Sequence, residues 1–394
     1  MVEWKKLGDV CNVYDGTHQT PKYTDCGIKF VSVENIHAPY NSNKYISEDD
    51  YIKKYKTKPQ QGDVLMTRIG DIGTCTVLNR EEPIAYYVSL ALLRPNQDLV
   101  QSNYVKYILE SNTGKKELRK KTLLTAVPLK INLGDVGKIS IPIPSLSEQS
   151  RIVSILDTFT SSISNLKQQI EERRKQYEYE RDLLLDLEGK EGVEMKKLGE
   201  VCEIKGRIGF RGYTKEDQVA KGEGALTLTA TNIVNQRIDF SNNTYITWEK
   251  YNESPEIMVN NGDIIICQRG SIGKIAIVEN LRGEATINPQ LLLLKNFSCN
   301  NKYLNYYLRS KWFQDKLKTI IGYGTIQMIA QKDLKNLSAP FINEEAQSRI
   351  VSILDTFEQS ISNLEEQLAM REKQYEYYRN QLLTFEGEEE RGKT

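Results

Sequence analysis

The chain has 394 residues, 39% of them apolar and 27% charged, so it is long enough for two or three domains with substantial cores. This composition excludes collagen, a low-complexity chain and a small disulfide-stapled protein. The net charge is zero, but residues 1–147 and 192–343 carry +4 and +5, whereas residues 148–191 and 344–394 carry −3 and −6. A polyanion can therefore bind the two basic blocks while the acidic segments stay away from it.

The amino terminus, MVEWKKLGDV, lacks the apolar core of a secretory signal. The longest apolar runs are far below the roughly 18 residues that span a bilayer. The six cysteines show no CxxC spacing, which is typical of reduced, mostly buried thiols. We therefore expect a cytoplasmic protein with no membrane partner.

The first predicted elements are short apolar or alternating runs separated by glycine-rich turns, which indicate β-strands. The predicted strands are residues 28–33, 63–67, 74–78 and 86–93, and a short helix follows at 103–111. This pattern predicts an α+β block, residues 1–146, with a twisted and mostly antiparallel sheet.

A long helix is predicted next, at residues 147–190. Ser145 or Ser147 is its candidate N-cap, and Glu188-Gly189 is its candidate stop. Apolar side chains recur every three or four residues, as in the seam of a coiled coil. The seam residues are Ile152, Phe159, Ile163, Leu166, Ile170, Tyr177 and Leu184.

The second half of the chain repeats the first. VEWKKLGDVCNV at 2–13 recurs as VEMKKLGEVCEI at 193–204, and QSRIVSILDTF at 149–159 recurs unchanged at 347–357. The repeat predicts a second α+β block at 191–343. Its strands are expected at 225–230, 263–268, 274–278 and 286–294, with a helix at 301–310. A second long helix is expected at 344–387, with Asn343 as its N-cap, Glu386-Gly387 as its stop and residues 388–394 as a tail. Its seam residues are Ile350, Phe357, Ile361, Leu364, Leu368, Tyr375 and Leu382.

Each long helix has a one-sided apolar stripe and therefore needs a partner helix. The two helices of one chain are expected to form an antiparallel coiled coil that separates the two blocks, related by a pseudo-twofold axis. Arg173 and Arg371 interrupt the seam at matching positions and would help to fix its register. A parallel coiled coil between two chains is the alternative.

Few residues of the chain are typical of catalysis. The two histidines, His18 and His37, are both in the first block, so neither a triad nor a His-ligated metal site can occur in both copies. No phosphate-binding loop or dinucleotide fingerprint is present. These absences favour a non-catalytic chain without a cofactor of its own. A DNA-modifying enzyme with an unrecognised site and a helical assembly scaffold remain as alternatives.

Loops rich in Thr, Asn, Gln, Lys, Arg and Tyr suit DNA readout, because these side chains contact base edges and phosphates. DGTHQTPKY at 15–23, YYVSLALLRP at 86–95, the GD-hydrophobic-glycine element of each half and the EQ(S)RIVSILD helix starts carry a resemblance. Over nearly all its length, the chain resembles the specificity (S) subunit of type I restriction-modification systems.

The resemblance implies that each block is a target recognition domain that reads one half of a bipartite, asymmetric site in double-stranded DNA. The helices would set the gap between the halves and dock two modification subunits, which bind S-adenosylmethionine and methylate adenine. Two restriction subunits, with ATP and Mg, join in systems that have them. None of these activities belongs to the specificity chain itself.

The candidate DNA-contacting residues lie in loops, and each has a structural alternative. The family places contacts in the polar loop before the first strand, where a solvated turn is the alternative. Arg68 and Arg269 lie beside the glycine-rich turns, where an internal ion pair is the alternative. Asn35 and Asn232 follow strands and equally suit a capping role; turn chemistry is the alternative for Thr325 and Gln327. The full set is Thr17, His18, Thr20, Lys22, Tyr23, Asn35, Arg68, Arg207, Arg211, Tyr213, Asn232, Arg269, Thr325 and Gln327.

Overall fold

The computed structural model describes residues 2–209, 212–322 and 327–385. The chain divides into two units by its internal contacts. The first unit comprises residues 1–167 and 366–394, and the second comprises residues 168–365. Each unit therefore contains one α+β block and a part of both long helices. No helix in the described ranges has the length and apolar character needed to cross a bilayer.

The first block contains nine strands and five short helices within the described residues. They are β1 (Glu3–Lys6), α1 (Leu7–Val10), β2 (Cys11–Asp15), β3 (Ile28–Val31), β4 (Tyr45–Ile46), α2 (Glu48–Lys54), β5 (Val64–Thr67), β6 (Cys75–Val77), β7 (Ile84–Tyr86), β8 (Leu90–Pro95), α3 (Ser102–Glu110), α4 (Asn112–Lys121), α5 (Leu133–Val136) and β9 (Ser140–Ile143). An antiparallel sheet has the order β2-β8-β5-β6, and a second sheet has the order β4-β3-β7. Strand β1 pairs with β9.

The long helix α6 (Leu146–Leu184) follows, and the second block then repeats this architecture. Its elements are β10 (Glu194–Lys197), α7 (Leu198–Val201), β11 (Glu203–Gly206), β12 (Gln218–Val219), β13 (Gly224–Leu228), β14 (Ile233–Val234), β15 (Arg237–Ile238), β16 (Thr244–Thr247), α8 (Trp248–Asn252), β17 (Met258–Val259), β18 (Ile264–Cys267), β19 (Ile275–Ile277), β20 (Ala285–Ile287), β21 (Leu291–Lys295), α9 (Asn301–Arg309), α10 (Lys311–Thr319), α11 (Gln331–Asn336) and β22 (Ser338–Phe341). The sheet orders are β11-β21-β18-β19 and β12-β16-β13-β20-β17, with β10-β22 and β14-β15 as separate pairs. The long helix α12 (Glu344–Leu382) follows β22.

The inner strands β5 and β18 of the two four-stranded sheets are each buried on both faces. Val64 and Met66 of β5 belong to one hydrophobic cluster, whereas Leu65 belongs to another. Successive side chains of a strand point to opposite faces, so a continuous apolar run serves two cores. The predicted α+β class and the mostly antiparallel sheets are confirmed, with one parallel pair in each block, β3–β7 and β13–β20.

The single strand predicted at 86–93 is wrong, as is its counterpart at 286–294. The structure divides each run into two strands that belong to different sheets, β7 and β8 in the first block and β20 and β21 in the second. In the first block, a turn bonds the Leu90 N–H to the Tyr87 carbonyl. In the second, the turn contains Pro289, which lacks a backbone N–H for the ladder.

Helices α6 and α12 each contain 39 residues. Their predicted N-caps are present, since Ser145 Oγ accepts the Glu148 N–H and Asn343 Oδ1 accepts the Ala346 N–H. Both helices end earlier than their Glu-Gly pairs indicated, at Leu184 and Leu382. The second pair, Glu386-Gly387, and the predicted tail at 388–394 lie outside the described residues. The next residue, Leu185 in one and Leu383 in the other, is fully buried in the core of its own unit. Each helix therefore ends beside a leucine that is buried in the core.

In the first unit, the start of α6 packs antiparallel to the end of α12. Phe159 stacks on Tyr378 with ring centroids 5.3 Å apart, and Lys167 pairs with Glu372 at 2.9 Å. From the first of these contacts to the second, the residue numbers rise along α6 and fall along α12, so the two helices are antiparallel. The guanidinium of Arg371 lies 5.7 Å from the centre of the Phe159 ring.

In the second unit, the end of α6 packs antiparallel to the start of α12. Tyr177 contacts Phe357, and Arg174 pairs with Glu365 at 2.6 Å. Arg173 lies 6.0 Å from the centre of the Phe357 ring, which repeats the arrangement of its counterpart in the first unit. Antiparallel pairing within one chain is therefore confirmed. All fourteen predicted seam residues are buried or half-buried.

Candidate nucleic-acid interface

Three segments of the first unit come together along one edge of the β2-β8-β5-β6 sheet, namely the edge at which strands β2 and β5 end. They are the polar loop after β2 (residues 16–25), the glycine-rich turn after β5 (68–73) and a hairpin after α4 (122–131). The Gly70 N–H donates to the Leu129 carbonyl at 2.8 Å, and the Ile131 N–H donates to the Arg68 carbonyl at 2.9 Å. These bonds attach the hairpin to the glycine-rich turn.

Asp15, the last residue of β2, joins the polar loop to the glycine-rich turn. Its Oδ1 accepts from Arg68 Nη2 at 2.7 Å, and its Oδ2 lies 2.7 Å from His18 Nε2. Its backbone carbonyl accepts from the Tyr86 hydroxyl at 2.9 Å. One carboxylate thus positions residues from two of the three segments.

Arg68 is 6% exposed, and its Nη1 also donates to the Ile131 carbonyl at 3.2 Å. This geometry favours the internal ion pair that the sequence left as the alternative to DNA contact. Through these bonds, the buried guanidinium connects the glycine-rich turn to the start of the polar loop and to the end of the hairpin.

The predicted residues of the polar loop lie at the surface. Thr17 bonds through its backbone to Tyr86 and Val88, so the loop leaves the sheet in a defined direction. Gly16 is required for this exit, because a Cβ there would lie 2.4 Å from the Tyr87 carbonyl oxygen. The exposed side chains of the loop include His18, Thr20, Lys22 and Tyr23. Their contact with DNA stays a prediction.

The glycine-rich turn has the same backbone in both units. Gly70 and Gly73 have φ of +84° and +93°, and their counterparts Gly270 and Gly273 have +77° and +84°. Side chains other than glycine rarely adopt this conformation. The two arginines beside the turns, however, are not equivalent, because Arg68 aligns with Gln268 and Arg269 aligns with Ile69.

Arg269 is exposed, in contrast to Arg68, because it occupies the next position along the chain. Its backbone bridges to Met328, and its Nη2 approaches the Met328 sulfur at 3.5 Å. Gln327 is exposed beside this bridge. The structure therefore brings Arg269 and Gln327 to one edge of the second block, where both stay predicted DNA contacts. Arg211 and Thr325 lie outside the described residues.

Arg207 occupies the interior of the second block. It is 7% exposed, and it donates from Nε to the Ile287 carbonyl and from Nη2 to Thr286 Oγ1. Its guanidinium lies 5.4 Å from the centre of the half-buried Tyr213 ring. Burial lowers the pKa of Arg207 and raises that of Tyr213. A structural role is favoured for this pair, comparable to that of Arg68 and Asp15 in the first block.

The two asparagines have different surroundings. Asn232 is buried and serves as a cap: its Oδ1 accepts from the Thr229 N–H, and its Nδ2 donates to the carbonyls of Asp239 and Asn242. The capping alternative is therefore favoured for Asn232. Asn35 is half-buried in a short 3-10 helix, and its Oδ1 is buried without a hydrogen-bond partner. Its contact with DNA stays a prediction.

The sequence interpretation missed the hairpin at 122–131 and the basic helix α4 that precedes it. Helix α4, NTGKKELRKK, has five Lys or Arg against one Glu. A signal was available in the basic run followed by TLLTAVPL, but apolar residues in such a run ordinarily indicate a core element. Among the described residues, no group of three or more His, Cys, Asp or Glu could hold a metal ion.

The comparisons with known proteins agree with this geometry. A family model described as the type I restriction modification DNA specificity domain matches residues 1–173 and 190–370. The chain is 31% identical over 261 residues to the EcoR124I/EcoR124II specificity subunit of Escherichia coli, covering 63% of each chain. It is 26% identical over 419 residues to a putative type I specificity subunit of Haemophilus influenzae, S.HindORF215P, covering 98% of this chain and 96% of the relative.

Two solved structures share the fold. One is a chain from a study of complex assembly and conformational transition of the type I R-M system, with a TM-score of 0.60, 18% identity, and coverage of 97% of this chain and 96% of the other. The other is the type I restriction-modification S subunit from M. genitalium, with a TM-score of 0.57, 14% identity, and coverage of 98% and 97%. Since the family model covers most of the sequence, the chain belongs to the type I restriction-modification DNA specificity family.

Proposed function

We propose that this chain is the non-catalytic specificity subunit of a type I restriction-modification complex, and that each α+β block reads one half of an asymmetric, bipartite DNA site. The modification subunits of the complex would bind S-adenosylmethionine and methylate adenine. Restriction subunits, where the system has them, would supply the chemistry that uses ATP and Mg.

The observation that carries this proposal is that one framework occurs twice with different loops. Buried tyrosines repeat the same bonds, since Tyr104 and Tyr303 each donate to a proline carbonyl. Tyr107 and Tyr306 each donate to an aspartate of the neighbouring long helix at 2.5 Å.

The loops at the sheet edge differ in the two copies. DGTHQTPKYTDCGI after β2 has no counterpart in KGRIGFRGYTKEDQV of the second block. A common scaffold with unlike loops at the same edge suits two readers of unlike sequences, because base readout depends on individual side chains.

The long helices suit a spacer between the two readers. At 1.5 Å per residue, a helix of 39 residues is about 58 Å long, the length of roughly 17 base pairs of duplex. The gap between the half-sites would be shorter than this, because each reader covers part of the same length.

Sequencing that detects methylated adenine, in cells that express this chain with its modification subunits, tests the proposal. The expected result is one asymmetric, bipartite motif with an unread gap of constant length. Methylation that needs only this chain would support the alternative of a self-contained enzyme. A methylation pattern that is independent of this chain would overturn the proposal.

Insertion of one heptad into each of α6 and α12, at matched positions of the seam, tests the spacer. The inserted turns add about 10 Å to each helix, so the unread gap should lengthen by about three base pairs while both half-sites stay the same. A matched control substitutes only the exposed positions of one heptad in each helix, which keeps both the helix length and the seam. An unchanged gap in the insertion variant would contradict the spacer role.

A further inference from the structure

The hairpin after α4 exposes a concentration of aliphatic side chains. We name residues 122–131 the apolar hairpin. Val127 is fully exposed and Leu124 is 58% exposed, and Leu123 and Leu129 are exposed as well. Exposed aliphatic side chains are ordinary when scattered, but a group of them on one short segment indicates a surface that binds something.

The apolar hairpin is an ordered element. The Leu123 N–H donates to the Lys130 carbonyl at 2.8 Å, which closes the hairpin. At its base, Thr122 Oγ1 donates to the Leu118 carbonyl, and the fully buried Ile131 anchors the return strand. With the bond from Gly70 to Leu129, these contacts fix the position of the tip relative to the glycine-rich turn. A fixed tip does not lose much conformational entropy on binding.

The charges around the apolar hairpin select its partner. Helix α4 ends in Arg119, Lys120 and Lys121, and Lys130 is exposed on the return strand. The exposed polar loop with His18 and Lys22 belongs to the same edge. An aliphatic tip with several basic side chains on the neighbouring segments suits a partner with a polyanionic rim and an apolar interior. Duplex DNA has both, as phosphates outside and stacked bases inside.

We propose that the tip of the apolar hairpin, Val127 with Leu124, inserts into the minor groove at or beside the half-site of the first block and partly unstacks one base step. This proposal rests on the proposed function and adds a wedge to it. The basic residues of α4 hold the flanking phosphates. The cost of unstacking then depends on the step, so the first half-site is selected partly through the deformability of its DNA.

The test uses the complex reconstituted from this chain and its modification subunits, bound to a duplex that carries the methylated motif. 2-Aminopurine, whose fluorescence rises on unstacking and which pairs with thymine, replaces one adenine at a time through the first half-site and its flanks. The methylated adenine is left unlabelled, since methyltransferases extrude their target base. Wild-type complex is expected to raise the fluorescence several-fold at one step.

Two variants are compared with the wild type. Val127→Ala should abolish the signal at that step and weaken binding about tenfold, the value expected for two methyl groups lost from a buried contact. Ile52→Ala is the matched control, because Ile52 is an exposed aliphatic residue of the same block on helix α2. It should leave the signal and the affinity unchanged. Thermal unfolding of Val127→Ala should match that of the wild type, because its side chain has no core contact to lose.

The outcomes separate the two proposals. A complex that binds the motif without any unstacked step, or a Val127→Ala variant that keeps the signal, overturns the wedge and leaves the specificity function in place. Weaker assembly of Val127→Ala with the modification subunits, with DNA unstacking retained, would assign the tip to a protein contact and overturn the wedge equally. A complex that binds no motif at all would remove the proposed function itself.

Discussion

The two copies of the repeat use opposite charges at the same place in the fold. Glu110 ends helix α3 in the first unit, and Arg309 occupies the equivalent position at the end of α9 in the second. Glu110 accepts the Cys75 N–H at 3.0 Å. The side chain of Arg309 is only 7% exposed, and it donates to Glu358 Oε1 at 2.6 Å and to the Tyr177 hydroxyl at 2.8 Å.

The residues of the long helices that face these two positions also differ between the units. Glu358 of α12 faces Arg309, whereas the equivalent residue of α6 is Thr160, which lies within 3.4 Å of the Tyr107 hydroxyl. The starts of the two long helices are otherwise identical over QSRIVSILDTF. This shared stretch presents the same side chains to each block. Exchange of the two blocks would place Glu110 opposite Glu358 and Arg309 opposite Thr160, so we expect these charges to disfavour the exchanged packing.

The largest expected effect concerns Arg309 in the second unit. Arg309→Ala would leave Glu358 half-buried without its cation and Tyr177 without its donor. Removing one partner of a buried ion pair is strongly destabilising, so we expect the free energy of unfolding to fall by about 3 kcal/mol. Calorimetry of the full chain should show this loss as a lower unfolding temperature.

Arg282→Ala is the matched control, since Arg282 is an exposed arginine of the same unit. It should change the free energy of unfolding by less than about 0.5 kcal/mol. An equally small effect of Arg309→Ala would show that the ion pair does not distinguish the two blocks.

The next effect separates the two arginines beside the glycine-rich turns. Arg68→Ala removes the buried partner of Asp15 and should lower the free energy of unfolding of the chain by about 2 kcal/mol. Arg269→Ala removes an exposed side chain and should leave stability unchanged within about 0.5 kcal/mol. In the reconstituted complex, however, Arg269→Ala should reduce methylation at sites defined by the second half-site.

Thermal unfolding and methylation, measured on the same preparations, separate these roles. If Arg269→Ala retains full methylation with unchanged specificity, Arg269 is not a reader of DNA. If Arg68→Ala is as stable as the wild type but methylates poorly, Arg68 contacts DNA and the internal role is wrong.

The sequence was sufficient for the layout of the molecule because periodicity carries that information. Seam residues such as Ile152 and Ile350 repeat at helical spacing, and the glycines that need positive φ recur in both copies. Periodicity did not predict which of the two arginines beside the glycine-rich turns is buried and which is exposed. Arg68 and Arg269 lie beside the same turn in the sequence, but one residue of offset places the first in the interior and the second in solvent.

The sequence also could not reveal the apolar hairpin as a surface element. Leu124 and Val127 have the composition of a core strand, and only the tertiary structure shows that no core covers them. The division of residues 86–93 between two sheets was hidden for a similar reason. Both strands are apolar, and the turn between them, YVS at 87–89, contains neither Gly nor Pro.

The smallest expected effect concerns Glu110 in the first unit and depends on pH. Burial raises the pKa of Glu110, although Lys106, the Cys75 N–H, Arg379 and His37 oppose this rise. Between its ordinary pKa and the raised one, the folded chain binds more protons at this carboxyl than the unfolded chain does. Its contribution to stability therefore falls as the pH rises through that window, and the penalty is complete above the raised pKa.

Glu110→Gln removes the titration and keeps an oxygen that accepts the Cys75 N–H. The variant should lose none of the wild-type stability at pH 4 and should gain relative to the wild type as the pH rises toward 7, as measured by denaturant unfolding of the full chain. A free-energy difference that is independent of pH would mean that Lys106 and Arg379 fully offset burial. The carboxylate of Glu110 would then be stabilised by nearby cations, as the carboxylate of Glu358 is by Arg309 in the second unit.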